Sequence, residues 1–157
     1  MRIITYGTEF DNNMRLKLVQ EKCIIYGKES ALDSPKKIVR VMNEVFGLNR
    51  KAEEFLYLIT CLKDNPTGFF EISHGSVDYA QVRIADVLKR VLLSGAVNFI
   101  IVHNHPSGNP NPSIADLDFT RTLQNGASVL GINFLDHIIL GNPDYFSFKE
   151  KNMLMEE

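Results

Sequence analysis

The run from Val97 to His103 constrains this chain more than any other part of it, because Phe99, Ile100, Ile101 and Val102 follow one another with no polar residue between them. A strand without alternation is buried on both faces, so a layer of structure must cover each side of it. Segments of helical period are available for this. Between about Val82 and Ser94 the residues Ala85, Leu88, Val91 and Leu92 recur at helical intervals, with Asp86, Lys89 and Arg90 opposite and Gly95 beyond the end. Ser34-Pro35 opens another helix, with Ile38, Met42, Val45 and Phe46 on one face and Gly47 closing it. After the central run, a loop rich in proline between Pro106 and Pro112 feeds a helix from Ser113, with Ala115, Phe119 and Leu123 inward and Gly126 or Gly131 at its end.

The remaining elements read as strands. Phe55 to Leu62 and Phe69 to Ser73 form a hairpin across the turn-rich segment Lys63 to Gly68. Phe134 to Leu140 reads as a buried strand, Tyr145 to Phe148 as a short one, and Lys149 to Met155 as a terminal helix. Helices and apolar strands in alternation predict an α/β (α+β) domain, a mixed β-sheet flanked by helices. At 157 residues the expectation is one domain over 1–157, with 1–33 as an N-terminal extension.

Composition removes several classes of function. The formal net charge is −2, and no block of Lys or Arg is longer than a pair, so strong nonspecific binding to nucleic acid is not expected. The apolar stretch Val91 to Val102 is interrupted by Ser94, Gly95 and Asn98 and falls short of the roughly twenty residues of a membrane span. No signal peptide is recognisable in Met1 to Phe10, so a cytoplasmic location is expected. Cys23 and Cys61 lie in apolar runs without CxxC spacing and read as two reduced, buried thiols.

The chemistry concentrates in His103-Asn104-His105-Pro106 and, after the loop, Ser113-Ile114-Ala115-Asp116. On extended backbone, residues two apart point the same way, so His103 and His105 present their rings on one side at a strand end. Two neutral imidazoles and the Asp116 carboxylate make a three-ligand set for one zinc per chain, leaving a fourth position for water. Iron, cobalt and nickel accept the same ligand types. The Ser113-x-x-Asp116 spacing is equally that of a capping box, in which Asp116 accepts from the Ser113 backbone N–H and holds no metal.

Together, His103-x-His105-Pro106 and Ser113-x-x-Asp116 resemble the motif of the JAMM (MPN-type) zinc metalloproteases. Pro106-Ser107-Gly108, Pro112-Ser113 and Leu135-Asp136-His137-Ile138-Ile139-Leu140-Gly141 narrow the resemblance to the RadC-like branch, over roughly Ser34 to Leu154. The resemblance implies a JAB/MPN-type fold related to cytidine deaminases, with zinc held by two histidines and an aspartate. It implies amide-bond hydrolysis of a peptide or protein substrate by metal-activated water. The family's upstream glutamate falls on Glu71, within Glu71-Ile72-Ser73-His74-Gly75-Ser76, as general base. Its apolar neighbours Phe69, Phe70 and Ile72 suggest a buried carboxylate with a partner. By the same resemblance Ser113 donates a hydrogen bond to the developing oxyanion.

Glu53 and Glu54, which precede a strand, read as solvated charges. His74 reads as a surface residue, and His137 as a buried group that supports the site without binding metal. The competing functions are a catalytically idle metal-binding interaction domain and a DNA-repair-associated accessory protein. The first thirty or so residues are too few for the helix-hairpin-helix region that full-length relatives carry. A deaminase is disfavoured because the Pro-Cys-x-x-Cys ligand pair is missing.

Overall fold

The computed structural model describes residues 1–75 and 82–155. The expected mixed sheet is present, with seven strands in the order β2-β1-β4-β3-β5-β6-β7. The strands are β1 (Arg2–Phe10), β2 (Leu16–Ile25), β3 (Glu54–Leu62), β4 (Asn65–Gly75), β5 (Asn98–Asn104), β6 (Asn133–Leu140) and β7 (Tyr145–Ser147). Three α-helices pack on them: α1 (Pro35–Phe46), α2 (Ile84–Ser94) and α3 (Ile114–Val129). Four of the six neighbouring pairs are antiparallel; β1 and β4 are parallel, and so are β5 and β6, which are joined through α3. Such a crossover leaves a crevice at the carboxyl end of the first strand, beside the start of the helix.

β5 is central, with Phe99 to Asn104 buried. Its two faces belong to separate cores. Ile100 and Val102 join Phe55, Tyr57, Phe69 and Ile138 beneath α1, while Phe99 and Ile101 join Leu56, Leu58, Phe70 and Phe134 beneath α2 and α3. Gly47 and Gly95 end α1 and α2 in the left-handed conformation, as their positions in the sequence predict.

Three expectations are corrected. Residues 2–25 form a hairpin that widens the sheet, and Cys23 on its outer strand is exposed, whereas Cys61 is buried. That strand is an edge, covered less than the interior strands. β4 begins at Asn65, so the β3–β4 turn is shorter than the run of turn residues suggested. Lys149 to Met155 forms turns and no helix, with Asn152 at φ 53° and Lys149 N–H donating to the Asp136 carboxylate at 3.0 Å. Among the described residues no helix is long and apolar enough to cross a membrane.

Candidate metal centre

The side chains of His103, His105 and Asp116 converge where β5 ends and α3 begins. His103 closes the α2/α3 face of β5, and His105 lies just past the strand, its N–H donating to Leu140 O at 2.8 Å. Gly108, at φ 82°, turns the chain back after His105, and its carbonyl accepts from Asn142 N–H at 3.0 Å. Gly141 allows this approach: a Cβ there would strike the Gly108 carbonyl oxygen and come within 2.8 Å of Pro110 Cδ. The loop is thereby pinned to the turn after β6, and α3 starts beside the two rings.

Asp116 serves as cap and as candidate ligand together. Its Oδ2 accepts from Ser113 N–H at 2.6 Å and from the Ser113 hydroxyl at 2.7 Å, completing a capping box, while its Oδ1 faces His103 Nε2 at 3.1 Å. The two readings of the sequence are therefore compatible. Ser113 gives its hydroxyl proton to Asp116 and accepts from Asp116 N–H at 3.1 Å, so donation to an oxyanion, the role the resemblance implied, requires the hydroxyl to turn.

The two Nε2 atoms lie 3.0 Å apart, and His105 Nε2 lies 3.5 Å from Asp116 Oδ2. The edge of a tetrahedron around an ion with ligands at 2.0–2.1 Å is about 3.3 Å, so these separations fit one ion bound by all three groups. Among the described residues this is the one such cluster. His105 Nδ1 faces Asn109 O at 2.9 Å, and because a carbonyl only accepts, that nitrogen carries the proton. Burial pushes His103 down and favours its neutral form, against the pull of Asp116. His105 is raised by its hydrogen bond to Asp116, and the two histidines hold Asp116 far below the usual carboxylate range despite its burial. A cation belongs among these lone pairs, either a proton or a metal ion.

Glu71 is not brought to this group. Its Oε2 accepts from the Tyr57 hydroxyl at 3.0 Å, on the face of the sheet beneath α1, and its side chain is half exposed. His103 faces the other way. The carboxylate that does reach the cleft is Glu54, which lines a cavity of about 460 Å³ with His103, His105, Pro106, Ser107, Ser113, Ala115 and Asp116. Its charge acts on both imidazoles. Neighbouring strand positions face opposite ways, and Glu54 shares the face of Leu56 and Leu58, which pack beneath α2 and α3. Reading it as a solvated charge missed this, and the available signal was its two-residue spacing from Leu56.

Asn104, between the two histidines, was also missed. Its side chain points to the α1 face, where Oδ1 accepts from Phe55 N–H at 2.8 Å and Nδ2 donates to Glu53 O at 3.0 Å. Both contacts bracket Glu54 and fix its backbone. His74 is exposed, as expected, bonded to Glu53 at 2.8 Å. His137 is fully buried, and burial pushes it well below its ordinary value, so it is neutral.

A mixed sheet with a His-His-Asp cluster at the mouth of the β5–α3–β6 crossover defines the class: a domain of JAB/MPN type with a group that could hold a metal ion. Residues 32–153 match the RadC-like JAB domain, and the chain belongs to that family. A UPF0758 protein of Desulfitobacterium hafniense is 38% identical over 124 residues, covering 78% of this chain and 54% of the relative. One from Geotalea uraniireducens is 36% identical over 121 residues, covering 77% and 53%, and one from Methanosarcina acetivorans 34% over 132 residues, covering 80% and 58%. The chain spans about half the length of the curated relatives it matches.

Proposed function

We propose that this chain is a metal-dependent hydrolase of amide bonds in a peptide or protein substrate, with His103, His105 and Asp116 as ligands and Glu54 as general base. The observation that carries the reading is the nearness of two imidazole Nε2 atoms and a carboxylate, close enough together to share one ion. Zinc suits this ligand set, and when bound it supplies the Lewis acidity that makes water a nucleophile near neutral pH. Glu54 lines the same cleft, which supports its role as the base that takes a proton from the attacking water and returns it to the leaving amine. Ser113 lines the cleft beside Asp116 and holds that carboxylate in position. A net charge of −2 favours a protein over a nucleic-acid substrate.

Metal analysis of the purified chain is expected to give one divalent ion per chain, lost in His103→Ala, His105→Ala and Asp116→Ala. Against a peptide and isopeptide library, Glu54→Gln should keep the ion and lose about a hundred- to ten-thousand-fold in rate, since glutamine cannot accept the proton. Glu71→Gln should retain activity. A metal-loaded wild type that cleaves nothing in a broad library would sink the catalytic reading and favour an interaction domain held by metal.

A further inference from the structure

Behind the proposed ligands lies a chain of buried polar groups that the reaction itself does not use. His103 Nδ1 lies 2.8 Å from His137 Nε2, and His137 Nδ1 lies 2.6 Å from Thr120 Oγ1. Thr120 Oγ1 in turn lies 2.6 Å from the backbone carbonyl of Asp116, one helical turn earlier. The direction of every bond follows from counting protons. A carbonyl oxygen only accepts, so the single hydroxyl proton of Thr120 goes to Asp116 O. Thr120 can then only accept from His137, which fixes the proton of His137 on Nδ1. A neutral His137 with its proton there has a bare Nε2, which must accept from His103 Nδ1–H. His103 is thereby held with its Nδ1 proton turned inward, and its Nε2 faces His105 and Asp116, free to offer a lone pair when an ion replaces any proton there.

We propose that His137 and Thr120 are positioning residues that lock His103 into its Nδ1–H tautomer, so that Nε2 presents a lone pair to the ion. This rests on the metal-site reading above, and it adds a physical role for two residues outside the ligand set. The His137 ring is held for this task. It stacks on Phe148 with centroids 5.0 Å apart and planes 10° apart, and meets Phe119 edge-on at 6.2 Å. Because the relay ends on the backbone of Asp116, the residue that sets the polarity at one end also supplies the carboxylate beside His103 Nε2 at the other. A histidine free to exchange tautomers would present N–H to the ion for part of the time, and the ion would compete with that proton for the nitrogen.

The test uses the full chain, labelled with nitrogen-15 and freed of metal by a chelator, near neutral pH. Long-range proton–nitrogen correlation should show His103 and His137 both protonated on Nδ1, with Nε2 of His137 bare. Cobalt titration should then show affinity falling about ten- to a hundred-fold in Thr120→Val and His137→Leu, the range typical of groups that orient metal ligands. Thr120→Ser and His137→Gln, which keep the hydroxyl and an acceptor near the Nε2 position, should restore near wild-type affinity. A His103 bare on Nδ1 in the metal-free wild type would overturn the proposal. So would wild-type cobalt affinity in Thr120→Val, a near-isosteric change that decides the matter if His137→Leu does not fold. A wild type that binds no metal yet shows the stated tautomers would defeat the metal reading and leave the tautomer lock standing.

Discussion

His103 and Glu54 show how far single residues can be read without a structure. The nearness of His103, His105 and Asp116 was legible because they lie close in the chain and the two histidines share a strand end. Glu54 on β3 and Glu71 on β4 point to opposite faces of the sheet, and a two-residue period assigns faces only once the register is known. The roles of His137 and Asn104 depend on contacts across the sheet, at separations of 34 residues to His103 and 49 to Phe55, which no local pattern contains. At this scale Asp136 offers a test of its own. Burial raises its carboxyl to about 6, although the Ser147 hydroxyl and Lys149 N–H both donate to it. A folded value above the unfolded one, about 3.9, means that its contribution is fully present below about pH 4 and is lost as pH rises through about 6. Thermal melts from pH 4 to 7 should show Asp136→Asn gaining on wild type as pH rises, by on the order of 2–3 kcal/mol. Parallel profiles for the two proteins would show that the buried carboxyl does not titrate there.

Among the elements, the helices were the most legible, since cap residues and apolar spacing mark their ends within the local chain. α1, α2 and α3 begin within about two residues of the expected starts. The terminal turns were misread because the polar segment after β7 closes on the buried Asp136 carboxylate, a long-range contact. The loop between β5 and α3 depends on another, the meeting of Gly108 and Gly141. Gly141→Ala places a methyl group against backbone and proline atoms that cannot swing aside, so overpacking should cost about 1–3 kcal/mol in denaturant unfolding. The loop carries the Asn109 carbonyl that orients His105, and cobalt affinity should therefore fall as well. Stability lost with metal affinity unchanged would separate the loop from the site.

For the molecule as a whole, an ion that binds the folded chain and not the unfolded one must stabilise it. At a thousandfold excess over its dissociation constant the gain is about 4 kcal/mol. For a domain of this size that raises the melting temperature by about 8–16 °C. Zinc added to chelator-treated protein should produce that rise, and the His103→Ala variant should not respond. An equal rise in the variant would place the ion elsewhere on the surface.

Residues 103 to 116 hold all three proposed ligands in one βα connection, while Glu54 comes from a different strand. On the proposed reading, occupancy and turnover are thus inherited through separate parts of the chain. A lineage can exchange Glu54 and keep an intact, occupied centre, becoming a scaffold in a single step. The reverse path is equally short, so in a set of relatives the residue at this one position, more than the histidine motif, should divide hydrolases from binding proteins.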